Sequence, residues 1–329
     1  DMVSERAKTL GPSNPPKPLL LLGPSVSPET ADFLKNSGAF DVMKTTSGVF
    51  QSGEPFTEFS FDQQADFSAQ AEKIKGSKAV VVQSTAEPVA QNVQHLLEMI
   101  HTLKFYGATE VTAVVPFAAF SRQDRPFDKR FTSVAADLLA RQLKAAGADK
   151  VVSFTMHSEA AVQFYKNIFG DGIQAVAATD VFKDYLQKTF SADAASLVVG
   201  APDGAEKPKD EGQRRARDLS QSLTGIFNEQ AMFFVSKVHT GVNETKITAF
   251  RGDVAGKNCV VTDDMVDGGG TMLNTARFLK ESGAVSVTCC LTHAILTDGK
   301  IPALEKLLTA KTADGRFAID RLVMTDAIP

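Results

Sequence analysis

The chain has 329 residues, 43% of them hydrophobic, enough to bury the cores of two domains of roughly 100–200 residues each. Lys+Arg 35 against Asp+Glu 39 leaves a net charge of -4, which excludes a general nucleic-acid binder, since such proteins depend on a basic surface. No apolar run approaches the roughly 20 residues of a membrane span: Pro18–Leu22 stops at Gly23, lacks the flanks of a signal peptide, and reads as a first buried strand.

Residues 1–17 read as a loosely held arm, with several prolines and few apolar residues between Asp1 and Pro16. After the strand at Leu19–Leu22, the run Lys78–Val82 predicts a strand, followed by a helix around Gln91–Met99. Glu110–Val115 predicts the next strand, then a helix from about Thr132 to Ala146 that ends at Gly147. Lys150–Phe154 is a further strand. Past the midpoint come Ala195–Val199, a charged loop at Gly204–Gly212, and a basic helix around Arg214–Leu223. Strands at Ala231–Phe234 and Lys257–Val261, a helix after Thr271 and a strand at Ser286–Cys290 complete the pattern.

This alternation predicts an α/β fold with mainly parallel sheets, in which ligands bind beyond the carboxyl ends of the strands. Similar βα units lie on either side of Phe164–Ile173, so a division into residues 18–165 and 166–329 is expected. Cys259, Cys289 and Cys290 lie in apolar runs without metal-ligand spacing and read as reduced core residues of an intracellular protein. Cys289 and Cys290, being adjacent, are expected on opposite faces of one strand.

The most informative run is Val260–Val261–Thr262–Asp263–Asp264–Met265–Val266–Asp267–Gly268–Gly269–Gly270–Thr271. A strand, a glycine-rich turn and a helix start together make an anion site, because backbone N–H groups converge where the helix dipole favours negative charge. Three acids would repel a bare phosphate. They make sense if they hold the hydroxyls of a sugar carrying that phosphate, or a hard divalent cation beside it. A sugar-phosphate site is expected, and glycine and aspartate as ordinary turn residues are the plain alternative.

Other strand ends carry polar clusters. Ser121–Arg122–Gln123–Asp124–Arg125 follows a buried strand, and its arginines suit bidentate phosphate recognition, although a solvated loop would look the same. Met156–His157–Ser158–Glu159 ends another strand. Asp203 ends a third and could share a cation with His157. Alone, a histidine in such a place is more often a hydrogen-bonded structural residue.

Together with Phe50–Gln51–Ser52–Gly53–Glu54, Gln83–Ser84–Thr85, Gly252–Asp253–Val254–Ala255–Gly256, Thr292–His293 and Thr325–Pro329, these segments resemble the ribose-phosphate pyrophosphokinase (phosphoribosyl pyrophosphate synthetase) family. The resemblance runs from about Leu19 to Pro329. It implies two phosphoribosyltransferase-like α/β domains, the first on the ATP side and the second on the ribose 5-phosphate side. The implied reaction moves the β,γ-diphosphoryl group of ATP to the anomeric hydroxyl of ribose 5-phosphate, with Mg2+ as cofactor. By the same resemblance, Asp263, Asp264 and Asp267 hold the ribose hydroxyls while Gly268, Gly269, Gly270 and Thr271 cradle the 5-phosphate. Arg122, Gln123 and Asp124 contact ATP, Phe50 and Glu54 help form the adenine pocket across a subunit boundary, and His157 and Asp203 organise the metal.

Ser236–Gly241 is the candidate for the family's mobile cationic loop, with Lys237 neutralising charge on the transferred group. The lysine, valine, then glycine spacing resembles a plant-like (class II) branch, with His239 standing where that branch has arginine. Ser52 and Thr155 stand where the family usually has acids. The resemblance further implies a cytoplasmic homo-oligomer, a dimer or hexamer, with ATP and ribose 5-phosphate as partners and neither nucleic acid nor membrane. Two other functions remain compatible with the sequence: a catalytically impaired sugar-phosphate-binding relative that regulates active subunits, and a phosphoribosyltransferase that uses the same acidic loop.

Overall fold

The computed structural model describes residues 16–61, 66–126, 130–191, 196–202, 211–224, 231–241, 244–297 and 299–329, with backbone alone for 224, 237–241 and 244–246. The chain forms two compact units. The first takes the described chain up to Pro116, Leu138–Val152 and Lys166–Gln174; the second takes Phe117–Asp137, Ser153–Tyr165 and Ala175–Pro329.

The first half of the chain runs through β1 (Leu19–Leu22), α1 (Pro28–Asn36), β2 (Asp41–Val42), β3 (Lys44–Val49), β4 (Pro55–Ser60), α2 (Phe67–Ile74) and β5 (Lys78–Val82). It continues with α3 (Val89–Phe105), β6 (Glu110–Val115), α4 (Ala135–Ala146), β7 (Lys150–Phe154), α5 (Glu159–Phe169) and β8 (Ile173–Val176). A six-stranded sheet has the order β2-β1-β5-β6-β7-β8, and β1 pairs in parallel with β2 and β5, as β5 does with β6. Gly23 follows β1, and only glycine fits there, because a Cβ would lie 2.1 Å from Oε1 of Gln83. Helix α1 starts where Ser27 accepts from the Thr30 N–H at 3.1 Å, with Pro28 in its first turn. Helix α3 buries Val93, Leu96, Met99, Ile100 and Leu103, an i, i+3, i+4, i+7 stripe.

Two features of this half differ from the sequence reading. Residues 132–134 precede α4 in a loop, because the Ser133 hydroxyl donates to Oε1 of Gln123 at 2.7 Å and the Ala136 N–H donates to the Gln123 carbonyl at 3.3 Å. These local bonds offer the backbone an alternative to the helix. Secondly, β3 and β4 form an antiparallel ribbon whose turn is closed by bonds between Phe50 and Glu54 (2.9 Å) and between Gly53 and Phe50 (2.8 Å), with Gly53 at φ +90.

The second half contains α6 (Thr179–Thr189), β9 (Leu197–Ala201), α7 (Glu211–Thr224), β10 (Met232–Gly241), β11 (Glu244–Arg251), β12 (Asn258–Val266), α8 (Gly270–Glu281), β13 (Ser286–Ala294), α9 (Lys300–Thr309) and β14 (Arg321–Met324). Its six-stranded sheet has the order β11-β10-β9-β12-β13-β14, parallel throughout except for the β10–β11 pair. Alternate residues feed two cores. Val198, Phe233, Cys259, Val261 and Cys289 pack with α8, whereas Val199, Phe234, Val260 and Cys290 pack with α6 and α7. The adjacent cysteines therefore face opposite sides, as expected, and all three are free and buried.

From β9 the chain winds outward to β10 and β11, then returns to lay β12 on the other side of β9. Such a reversal opens a crevice at the carboxyl ends of the two central strands. Strand β12 is longer than the apolar run suggested. Its ladder with β13 continues through Asp263–Leu291 to Val266–Ala294, so the acids Asp263 and Asp264 sit within the strand. Among the described residues, no helix is long and apolar enough to cross a membrane.

Candidate active site

Strand β12 delivers Asp263 and Asp264 side by side. The Asp263 carboxylate accepts from the Asp264 N–H at 2.9 Å, and the Asp264 side chain is 3% exposed. A buried and a half-buried carboxylate this close need a cation. Arg215, on α7, supplies it: its Nη2 donates to Oδ1 of Asp263 at 3.1 Å and to Oδ1 of Asp264 at 2.9 Å. On the other oxygen of Asp264, Nδ1 of His157 lies at 2.7 Å.

Burial works against ionisation of Asp264, but the hydrogen bond from His157 and the charge of Arg215 outweigh it and hold the acid well below the usual carboxylate range. Burial and the Asp264 charge push Asp263 up, with Arg215 opposing. An ionised carboxylate only accepts hydrogen bonds, so Nδ1 of His157, the nitrogen that faces it, carries a proton.

Backbone strain marks the approach to His157. Thr155, a β-branched residue, has φ +36. It is held by its N–H to the Val176 carbonyl (2.7 Å), by the Ala178 N–H to its hydroxyl (3.1 Å), and by Nε2 of His293 close to the carbonyls of Phe154 (3.1 Å) and Thr155 (3.2 Å).

Beyond β12, Gly268 and Gly269 lead into α8. Gly269 is at φ +71, a conformation open to glycine at little cost, and as the N-cap residue it has no side chain to bond the helix start. The first-turn N–H groups of α8 can therefore serve an anion. Asp267 borders this turn. Burial raises its pKa, but hydrogen bonds from Thr297 and from Nη1 of Arg122 (3.1 Å) bring it below the ordinary value. Lys306, on α9, donates to the Gly268 carbonyl at 3.0 Å.

Arg122, Gln123, Asp124, Arg125, Thr132, Ser133 and His157 line a pocket of about 480 Å³. Asp124 is gripped by the Arg125 fork at 2.8 and 2.7 Å and accepts from Ser158. The Arg125 bonds, against the cost of burial, keep Asp124 ionised below its usual pKa.

The second unit thus brings together Arg122, Gln123, Asp124, His157, Asp263, Asp264, Asp267, Gly268, Gly269, Gly270 and Thr271. In the first unit, Phe50 is 56% exposed at the tip of the β3–β4 ribbon, its ring 4.6 Å from that of Phe56. Glu54 accepts from the Ser52 hydroxyl at 2.7 Å and lines a pocket with Gly53, Pro55, Gln91, Gln94 and Glu98. Asp203 lies outside the described residues, as do the side chains of Lys237 and His239; in backbone these two pair with Ile247 and Thr245 across the β10–β11 hairpin.

Arg215, Ser158, Thr297 and Lys306 are contacts the sequence reading did not find. For Arg215 the sole signal was its place in a basic helix.

Sheet order, glycine turn and paired acids define a phosphoribosyl transferase type of α/β domain, and residues 208–310 match the phosphoribosyl transferase domain family. Residues 25–147 match the N-terminal domain of ribose phosphate pyrophosphokinase. The ribose-phosphate pyrophosphokinase of Hyphomonas neptunium is 32% identical over 273 residues, 82% of this chain and 78% of that protein. That of Bifidobacterium longum is 30% identical over 96% of this chain and 83% of that protein. The crystal structure of phosphoribosylpyrophosphate synthetase from Mycobacterium smegmatis superimposes with a TM-score of 0.73 at 28% identity, over 95% of this chain and 90% of that one. The chain belongs to the ribose-phosphate pyrophosphokinase family.

Proposed function

We propose that this chain is a ribose-phosphate diphosphokinase that converts ATP and ribose 5-phosphate into phosphoribosyl pyrophosphate and AMP. The anomeric oxygen of the sugar attacks the β-phosphorus of ATP, the bond from that phosphorus to the α,β-bridging oxygen breaks, and AMP leaves. The proton of the sugar hydroxyl is released to solvent. Such an in-line displacement demands positioning and cationic stabilisation more than covalent help.

The observation that carries this reading is the acid pair of β12, Asp264 ionised and both acids held by Arg215, beside the glycine-led start of α8, with the Arg122–Arg125 pocket sharing His157. Asp263, Asp264 and Asp267 are the groups for the ribose hydroxyls. Gly268, Gly269, Gly270 and Thr271 present the helix start to the 5-phosphate. Arg122, Gln123 and Asp124 are the groups for ATP, with Phe50 and Glu54 for adenine across a subunit boundary, and Lys237 and His239 are the candidates to neutralise charge on the transferred phosphates.

Magnesium, the ion the family resemblance implies, would find Nε2 of His157 among the described residues and take oxygen donors for the rest of its shell. A histidine whose Nδ1–H is fixed by a carboxylate offers Nε2 as a ligand, a pairing typical of metal-bound imidazole. Among the described residues no cluster of three or more His, Cys, Asp or Glu forms a ready cage, which suits an ion held by one or two side chains plus substrate phosphates. His157 and Asp203 are its holders in this reading. Bound magnesium supplies neutralisation of the triphosphate charge. A two-domain division near residue 165 and a homo-oligomeric assembly in the cytoplasm complete the reading, on the family resemblance.

The test is AMP release, followed by chromatography, with ATP, ribose 5-phosphate and magnesium together and with each omitted in turn. AMP formation that requires all three is expected. ADP as the nucleotide product, or no turnover, would refute the proposal.

A further inference from the structure

Arg215 has no place in the family motifs quoted above, yet it makes the most contacts at the acid pair. Its side chain is 15% exposed. Nη2 bridges Asp263 and Asp264, and Nη1 lies 3.4 Å from the main-chain carbonyl of His157. One guanidinium therefore ties together strand β12, helix α7 and the segment bearing His157.

Packing does not fix Asp263 on that side. A cavity of about 180 Å³ lies against Arg215 and Asp263, bordered also by Thr155, Arg214, Asp218 and Thr262. With space rather than close-packed atoms beside Asp263, its carboxylate takes its direction from hydrogen bonds. Lysine, a point charge on a flexible stem, lacks the fixed plane in which Nη2 meets both acids while Nη1 faces the His157 carbonyl.

We propose that Arg215 is a positioning residue for the sugar: it orients Asp263 and Asp264 toward the ribose hydroxyls and links that half of the site to His157. It touches neither substrate and acts through the two acids. The inference rests on the diphosphokinase reading, in which those acids bind ribose.

The experiment uses full-length wild-type protein with Arg215→Lys and Arg215→Gln. Thermal melting checks folding, steady-state kinetics give KM for each substrate, and calorimetry measures ribose 5-phosphate binding in the presence of magnesium. For Arg215→Lys the KM and dissociation constant for ribose 5-phosphate should rise ~10-fold or more, with KM for ATP within about twofold, because misplacing a binding group is costly where that group binds. Arg215→Gln should show the same split more strongly. If it does not fold, Arg215→Lys, which keeps the charge, decides alone.

Unchanged ribose 5-phosphate affinity, or an equal rise of both KM values, would overturn the proposal, since a merely structural arginine would disturb the whole site. Failure of the underlying reading looks different: wild-type protein would bind no ribose 5-phosphate and release no AMP.

Discussion

Asp264 and His157 lie 107 residues apart in sequence and 2.7 Å apart in space. The acids proposed to hold the sugar and the histidine proposed to hold the metal are therefore one hydrogen-bonded unit, and the two acids should fail differently. Asp264→Asn loses the charge that fixes the Nδ1–H of His157, so the magnesium concentration for half-maximal activity should rise ~10–100-fold, the usual cost of losing a partner behind a metal ligand. Asp263→Asn does not touch His157 and should chiefly raise KM for ribose 5-phosphate. A magnesium titration of both variants checks this; identical shifts would contradict the division of labour. The acids themselves were legible, because three acids before three glycines stand out in any strand-to-helix turn. Arg215 was not, because nothing in the local spacing of Gln213–Arg214–Arg215–Ala216–Arg217 says which arginine turns toward a strand 48 residues later.

In the proposed reaction the glycine turn and the β10–β11 hairpin are the elements on which function depends most. Gly269 sits at φ +71, and a Cβ there would lie 2.9 Å from Cδ2 of Leu307. Gly269→Ala should cost about 1–3 kcal/mol through the strained backbone, seen as a lower melting temperature with a higher KM for ribose 5-phosphate. Unchanged melting and KM would show that the turn tolerates a side chain. Lys237 follows a register shift at Ser236/Lys237 in the hairpin, and such bulges break the two-residue alternation of a strand. Lys237→Ala should lower kcat ~10²–10³-fold, as loss of a transition-state donor does, with smaller changes in both KM values. A fall in binding at constant kcat would contradict its role. Most parallel strands were readable from apolar runs flanked by turns. The β3–β4 ribbon was not, since Lys44–Val49 is polar and half-exposed, and the extension of β12 through its acids depends on pairing with β13.

The whole molecule should respond to acid through its buried imidazoles. Burial lowers the pKa of His293, which sits among the carbonyls of Phe154 and Thr155 with Nδ1 buried and unpartnered, and burial likewise lowers His95. The unfolded chain, with imidazole near 6.5, then takes up protons more readily than the folded one. Stability from these groups is complete above pH ~6.5 and is lost as pH falls toward the depressed folded values. Denaturant midpoints should decline below pH ~6.5, and His293→Gln should flatten the decline; parallel slopes for both proteins would contradict this. The α/β plan was evident from the alternation of elements. The winding that sets β12 beside β9 was not, because strand order depends on long-range pairing rather than local pattern.

In the proposed reaction the β,γ-diphosphoryl group moves intact to the anomeric oxygen. Phosphorus NMR of a mixture of protein, ATP, ribose 5-phosphate and magnesium tests it most directly. Equimolar AMP and a sugar carrying a diphosphate at C1 and a phosphate at C5 are predicted. ADP with a sugar bisphosphate, or an unchanged ATP spectrum, would contradict the account.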